Sequence, residues 1–232
     1  METGSANLFE PMAKKIKPRL AGGQACTIYL VRHGESEWNV TSLMQGKTSG
    51  VPLTKAGIKQ ARAIEAKLKK IKFAAIFSSD LMRARQTAQI IAYQRKLAVI
   101  TARAIRERSF GVYEGKTLKQ YQEGLQETLQ HFDALSDQDK FKFVYPHGIE
   151  SIGGTVARVI TWLREVAVAY PGKKVLVISH GGVLRLLLIH LGYGTYDQLP
   201  PFSIDNTGYL VLKSDGVEIE IKEVVGVHKH EG

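Results

Sequence analysis

The chain has 232 residues, 44% of them apolar, which is enough for one domain with a substantial core but not for two large ones. Its formal net charge of +10 predicts a surface that attracts anions, whether phosphorylated metabolites, nucleic acid or an acidic membrane face. Cys26 is the single cysteine, which excludes an internal disulfide. Because no secretory signal is found either, a reducing, cytoplasmic location is favoured. No apolar run reaches the ~20 residues that span a bilayer.

The N-terminal segment differs in composition from the rest of the chain. Its basic residues are interrupted by Pro11 and Pro18, and a pair of glycines separates them from the first apolar run. We therefore expect a flexible basic leader over 1–25, a folded α/β domain over 26–226 and a short tail over 227–232.

Two apolar runs end in motifs that contain a histidine. The run over 27–31 is typical of a buried strand and stops at Arg32 and His33. The run over 175–178 stops in the same way, just before His180. An open α/β sheet presents its chemistry at the carboxyl ends of its strands, so these side chains are candidates for a common site.

The elements after the first strand alternate between helix and strand patterns. Thr54 suits the N-cap of a helix whose apolar stripe runs from Ile58 to Ile71. A short buried strand follows over 74–77. This alternation is the pattern of a parallel sheet covered by helices.

The second strand is followed by Ser78-Ser79-Asp80, which suits the N-cap of the next helix. That helix would carry Arg83 in its first turn, close to the strand end. A third strand is predicted over 97–100, and it leads towards Glu107.

The middle of the chain has a weaker pattern of short, charged, weakly amphipathic segments, such as the one over 118–132. We interpret about 109–150 as a helical insertion that caps the sheet. A clear helix pattern returns from Val156 to Val166 and ends at Pro171-Gly172.

The C-terminal part contains one more helix and a hairpin. Residues 183–191 are apolar nearly all round, which predicts a buried helix, and 203–224 read as an antiparallel hairpin at the sheet edge, turning at 214–216. The chain as a whole predicts an α/β fold with three layers: a mostly parallel sheet, helices on both faces and a small helical cap insertion.

Five polar side chains gather at the predicted strand ends, namely Arg32, His33, Arg83, Glu107 and His180. Two guanidinium groups can hold a phosphate monoester dianion through paired hydrogen bonds. One neutral imidazole can attack phosphorus, and a second, preferably protonated, can donate to the phosphoryl oxygens. A carboxylic acid can protonate the leaving alkoxide, and no step requires a metal.

The same residues lie in motifs that resemble the histidine phosphatase superfamily, which includes cofactor-dependent phosphoglycerate mutases. The resemblance extends from about residue 27 to 206. Its motifs, in chain order, are Arg32-His33-Gly34-Glu35 with Trp38-Asn39, Pro52-Leu53-Thr54 with Gly57, Ser78-Ser79-Asp80-Leu81 with Arg83, Glu107 with Phe110-Gly111 and Glu114-Gly115, and Ser179-His180-Gly181-Gly182.

The resemblance implies roles for individual residues. His33 would become the phosphohistidine, and Glu107 would be the proton donor. The residues implied to lie near the bound phosphoryl group or substrate are Arg32, Asn39, Gln45, Gly46, Arg83, His180 and Gly181.

Phosphatase and mutase are separated by finer features. The segment between Glu107 and Glu150 looks shorter than the mutase insertion, and both 110–115 and 179–183 are similar to the phosphatase branch. We therefore favour a phosphatase for small phosphorylated metabolites that needs neither metal nor cofactor. A mutase that uses 2,3-bisphosphoglycerate is the alternative. Because 146–151 has one residue more than a phosphatase Pro-x-Gly-Glu-Ser element, Glu150 is given no substrate role.

A hypothesis from another class is a catalytically idle module that binds anions or phosphoproteins through basic residues. A solvated helix face and an unstructured leader explain the same lysines more simply, so no nucleic-acid partner and no membrane span are expected, and the oligomeric state stays open. The residues concerned are Lys14, Lys15, Lys17, Arg19, Lys67, Lys69, Lys70 and Lys72.

Overall fold

A six-stranded mixed sheet lies at the centre of the computed structural model, which describes residues 24–230. The strands are β1 (Cys26–Arg32), β2 (Ala75–Ser79), β3 (Val99–Ala102), β4 (Lys174–Ser179), β5 (Ile204–Ser214) and β6 (Ile219–Val227). Their spatial order is β3-β2-β4-β1-β5-β6. The first four strands pair in parallel, and β5 and β6 are antiparallel, which confirms a mostly parallel sheet with a C-terminal hairpin at one edge.

Helices cover both faces of the sheet. Those in the described part of the chain are α1 (Glu37–Val40), α2 (Lys55–Leu68), α3 (Met82–Tyr93), α4 (Leu118–Gly124), α5 (Gln126–Asp133), α6 (Asp137–Lys142), α7 (Ile152–Ala169) and α8 (Gly181–His190). One core cluster packs α2 and α3 against one face, and the other packs α7 and α8 against the opposite face. The predicted three-layer α/β architecture is confirmed.

The α2 helix begins as predicted but ends earlier than its apolar stripe. The Thr54 hydroxyl accepts the backbone N–H of Gly57 at 2.9 Å, which satisfies one donor of the first turn. The helix ends at Leu68, and Arg95 satisfies carbonyls at and beyond this end by donating to Leu68 at 2.8 Å and Ile71 at 2.6 Å. Ile71 therefore lies beyond the helix, although it still packs on the core.

Two local expectations were wrong around β2 and β3. The N-cap of α3 is Leu81, since Ser78 and Ser79 belong to β2 and the Asp80 carboxylate accepts two hydrogen bonds from Arg106 at 2.6 and 2.5 Å. The third strand also begins later than the predicted 97–100, at Val99. The residues just before it stay tied to α3 through backbone hydrogen bonds to Ala92 and Tyr93.

The segment predicted as a cap contains the three short helices α4 to α6. Its two ends meet where Ser109 accepts the backbone N–H of Glu150 at 3.0 Å and donates its own N–H to the Glu150 carboxylate at 3.1 Å. The predicted leader lies outside the described residues except for Gln24 and Ala25. At the other end, the backbone N–H of His230 donates to Gln198 at 2.9 Å, so the described part of the tail contacts the domain.

Cys26 is fully buried at the start of β1, and burial raises the pKa of its thiol to about 11. A buried, neutral thiol of this kind packs as a small apolar residue. Between residues 24 and 230, no helix combines the length and the hydropathy needed to cross a membrane.

Candidate active site

Four of the predicted site residues meet at the carboxyl ends of adjacent strands. Arg32 is the last residue of β1 and His33 follows it, His180 follows β4, and Arg83 lies in the first turn of α3, the helix after β2. The register of β1 and β4 brings the two histidines together, because the His33 N–H donates to the Ser179 carbonyl at 3.0 Å. The two imidazole rings pack edge to face, with their centroids 5.2 Å apart.

The His33 imidazole is held as a neutral base. Its Nδ1 lies 2.6 Å from the Gly34 carbonyl oxygen, which can only accept, so the ring proton resides on Nδ1 and the lone pair on Nε2. Burial lowers the pKa of His33 well below its ordinary value, and the charges of Arg83 and Arg32 lower it further. The side chain therefore presents an unprotonated Nε2 at neutral pH.

The Arg83 guanidinium is buried at 1% exposure and is oriented by backbone carbonyls. It donates to the carbonyl oxygens of Thr48 at 3.0 Å and Gly46 at 2.8 Å. Burial lowers its pKa to about 10, although the charges of Glu107 and Glu114 oppose this shift. Arg83 stays cationic at neutral pH, and its Nε has no hydrogen-bond partner.

Arg32 is held in a similar way from the other side of the site. One of its terminal nitrogens donates to the carbonyl of Ile204, at the start of β5, and its Nε has no partner. Burial lowers the pKa of Arg32, while the charges of Glu107 and Asp205 raise it.

Both ring nitrogens of His180 are buried and lack a hydrogen-bond partner. The sequence argument favoured a protonated imidazole at this position. The structure differs, because burial and the charge of Arg83 hold the pKa of His180 well below its ordinary value, so the ring is neutral. A neutral imidazole still carries one N–H donor, and a bound dianion beside it would favour the second proton.

Buried polar atoms without partners are uncommon in proteins, and four of them converge here. They are the Nε atoms of Arg32 and Arg83 and the two ring nitrogens of His180. Each guanidinium nitrogen can donate, as can one nitrogen of His180, which together suits an anion with several oxygens.

Glu107 lies beside this cationic group. Its carboxylate accepts the backbone N–H of Gly182 at 2.9 Å and that of Arg108 at 2.8 Å. Gly181 and Gly182 allow the close approach: a Cβ on Gly182 would lie 2.5 Å from the Glu107 carboxylate, and one on Gly181 would lie 3.1 Å from the Arg32 Nε.

The three other predicted substrate contacts behave differently from one another. Asn39 accepts the backbone N–H of Ser36 at 2.9 Å as part of the α1 capping box, and Gln45 accepts the Ser36 hydroxyl at 3.0 Å. The hydrogen bonds of both side chains go to Ser36, not to the histidines or arginines of the site. Gly46 does reach the site, because its carbonyl holds Arg83.

Glu114 supports the loop around Gly46, a role that the sequence analysis did not assign. Its carboxylate accepts the backbone N–H groups of Lys47 at 3.0 Å and Phe110 at 3.1 Å. A Cβ on Gly46, whose φ is +45°, would lie 2.2 Å from the same carboxylate. The carbonyls that orient Arg83 thus depend on a carboxylate 68 residues further along the chain.

Arg158 supports Glu107 and also was not predicted. It donates to the carbonyls of Arg106 at 2.8 Å and Glu107 at 3.1 Å, and it forms an ion pair with Glu150 at 2.7 Å. Its position in the apolar pattern of α7 was the available signal, since an arginine among core positions needs a buried partner. The structure therefore gives Glu150 a structural partner.

We expect the Glu150 carboxylate to make the free energy of unfolding depend on pH. Burial alone would raise its pKa, but hydrogen bonds from Arg158, the charge of Arg158, the Ser109 N–H and Lys47 lower it to about 2. Because the folded-state pKa lies below the ordinary value of 4.5, this stabilisation is present above about pH 4.5 and is lost as the pH falls towards 2. Its size is about 3 kcal/mol.

Urea unfolding of the native chain and of Glu150→Gln between pH 7 and pH 2.5 measures this effect. The difference in free energy of unfolding should be largest at pH 7 and should shrink in acid. Glu123→Gln, which removes an exposed partner of Lys119, is the matched control. A difference that stays constant with pH would contradict the assignment.

Two further observations concern ligands of other kinds. Within 24–230, no three histidine, cysteine, aspartate or glutamate side chains form a group that could hold a metal ion. On α2, Lys67 lies 5.0 Å over the Tyr209 ring, and the neighbouring Lys69, Lys70 and Lys72 are exposed. The leader lysines of the binding-module hypothesis lie outside the described residues.

Known proteins are similar to this chain in sequence and in fold. Residues 28–225 match the model of the histidine phosphatase superfamily (branch 1). An uncharacterized phosphatase of Bacillus subtilis, PhoE, is 32% identical over 72% of this chain and 78% of its own. A 2,3-bisphosphoglycerate-dependent phosphoglycerate mutase of Methylobacterium sp. is 35% identical over 85% of this chain and 96% of its own. The solved structure of Bacillus stearothermophilus YhfR superimposes with a TM-score of 0.74, at 29% identity, over 85% of this chain and 95% of its own.

Proposed function

Because the chain belongs to branch 1 of the histidine phosphatase superfamily, we propose that it is a phosphatase that hydrolyses small phosphomonoesters through a phosphohistidine at His33. The observation that carries this proposal is the convergence of unpartnered buried nitrogens from Arg32, Arg83 and His180 around a neutral His33. A phosphate monoester supplies the oxygens that these donors lack and places phosphorus beside Nε2 of His33.

In the first step, Nε2 of His33 attacks phosphorus and the bond from phosphorus to the ester oxygen breaks. The leaving alkoxide takes a proton from the carboxylic acid of Glu107. Arg32, Arg83 and His180 stabilise the charge on the transferring phosphoryl oxygens. Preorganised donors of this kind contribute roughly 3 to 4 kcal/mol each in enzymes where they have been removed.

In the second step, water attacks phosphorus and gives a proton to the Glu107 carboxylate, while the phosphorus–nitrogen bond breaks. Inorganic phosphate leaves, and His33 and Glu107 return to their starting protonation states. Two backbone N–H groups hold the Glu107 carboxyl group in place for both proton transfers, because each of its oxygens accepts one of them.

The protein supplies only side chains to these two steps, so we also propose that the activity does not depend on metal ions. Phosphate release in the presence of excess chelator should equal the untreated rate. A loss of activity on chelation that added Mg²⁺ or Zn²⁺ restores would contradict this part of the proposal.

A mutase is the second candidate, because one relative named as a mutase aligns over 96% of its length. A mutase must keep water away from the phosphoenzyme while its intermediate reorients, whereas a phosphatase must admit water. The three short helices of the 109–150 segment favour the phosphatase, since a small cap shields the phosphoenzyme less.

One experiment distinguishes the phosphatase activity from the mutase activity. We expect purified protein given 3-phosphoglycerate and a trace of 2,3-bisphosphoglycerate to release free phosphate faster than it forms 2-phosphoglycerate. Formation of 2-phosphoglycerate as the much faster reaction would reverse the choice. A series of sugar phosphates, glycerates, bisphosphates and phosphoamino acids, assayed for phosphate release, would then define the substrate.

A further inference from the structure

Lys47 is a cation at the boundary of the proposed active site that the mechanism does not use. It lies between Gly46 and Thr48, whose carbonyls both hold Arg83. Its backbone is fixed, because its N–H donates to Glu114 at 3.0 Å. Its side chain is one-third exposed, and the ammonium lies 3.2 Å from the Glu150 carboxylate.

The negative charge of the Glu150 carboxylate is compensated without Lys47. Both of its oxygens already accept from Arg158, at 2.7 and 3.0 Å, and one also accepts the Ser109 N–H at 3.1 Å. Lys47 is the smallest of the influences that lower the pKa of Glu150. A partly exposed ion pair of this kind is worth only about 0.2 to 1 kcal/mol, so the ammonium can exchange Glu150 for another anion at little cost.

Lys47 and Glu150 are each attached to a segment that holds a residue of the proposed site. Lys47 belongs to the loop that holds Arg83, and Glu150 contacts Ser109, two residues after Glu107. In the proposed reaction the phosphoryl group lies at Arg83 and the ester oxygen lies at Glu107. With the ester in this orientation, the organic part of the substrate extends from the phosphate pocket between these two segments, on the side of the Lys47 ammonium.

We propose that Lys47 determines specificity by binding a second anionic group on the substrate, so that the preferred substrates are phosphomonoesters that also carry a carboxylate or another anion. The inference rests on the proposed function for the orientation of the ester. It goes further by naming the class of substrate and the residue that selects it.

The test compares 3-phosphoglycerate with glycerol 3-phosphate, which has a hydroxymethyl group in place of the carboxylate. Their dissociation constants are measured by calorimetry on chains that carry His33→Ala, so that no turnover is needed. Lys47→Ala should lower the preference for 3-phosphoglycerate over glycerol 3-phosphate about tenfold. Lys47→Arg should retain most of it.

Lys119→Ala is the matched control, because it removes the same charge from another carboxylate-paired lysine, on α4. Its affinity ratio should equal that of the parent. An unchanged ratio in Lys47→Ala, an equal fall in Lys119→Ala, or no binding of either ester would overturn the inference. With His33 intact, the expected binding pattern without any phosphate release would contradict the proposed phosphatase and leave the Lys47 subsite standing.

Discussion

Replacing His33 by alanine should lower phosphate release by at least about 10⁴-fold, since loss of a covalent nucleophile removes the first chemical step. In the proposed mechanism the His33 imidazole offers an unprotonated nitrogen to phosphorus, because the Gly34 carbonyl holds its Nδ1 proton and burial lowers its pKa. Initial rates of phosphate release from glycerol 3-phosphate, measured on the native chain and on His33→Ala, check this expectation.

The matched control is His131→Ala, which removes an exposed imidazole from α5 and should leave the rate near that of the native chain. Rapid quenching gives an independent readout. Radiolabelled substrate should leave label on the native protein that is labile in acid and stable in base, as a phosphoramidate is, and His33→Ala should carry none. Label that survives acid, as a phosphoserine would, contradicts the phosphohistidine.

The side chains of the site could be predicted from the sequence because strands end where their apolar runs end. His33 and His180 each follow such a run after one intervening residue, so a parallel sheet brings them to one edge. Arg83 was predictable for the same reason, being one helical turn from the end of β2. What these predictions share is that each depends on local pattern and on a general property of α/β sheets.

The partners that fix the site could not be predicted in the same way. Arg83 is oriented by two main-chain carbonyls, which no residue type identifies in advance. Glu114 and Arg158 act on segments far away in sequence. The error at Ser78-Ser79-Asp80 has a similar origin, since Asp80 prefers the guanidinium of Arg106 to a helix N-terminus.

The protonation state of the site also depends on groups that meet only in the fold. Burial, and after it the charges of Arg83 and Arg32, lower the pKa of His33 and keep its imidazole neutral. Burial and the charge of Arg83 also hold His180 neutral, which corrects the sequence-based expectation. In the proposed complex, a dianionic ester beside these side chains would favour protonation of His180, so the protonation state of the site would change when substrate binds.

Glu107→Gln should separate the two chemical steps. The amide can still accept one of the two N–H groups that hold the carboxylate, from Gly182 or Arg108, but it can neither donate a proton to a leaving group nor take one from water. With glycerol 3-phosphate we expect kcat to fall about 10² to 10⁴-fold, the usual contribution of a general acid or base. Glu123→Gln on α4 is the control for loss of a carboxylate.

With 4-nitrophenyl phosphate the first step should survive, because nitrophenolate leaves without a proton, while attack of water on the phosphoenzyme still lacks its base. Stopped-flow absorbance of Glu107→Gln should therefore show a burst of nitrophenolate close to one equivalent per chain, followed by a slow steady rate. The acid-labile label on His33 should accumulate over the same time. The size of the burst also counts the correctly folded sites. A misfolded variant is therefore recognised because it shows no burst and has a lowered melting temperature. If a folded variant loses activity on both substrates equally and shows no burst, Glu107 does not have the proton-transfer role.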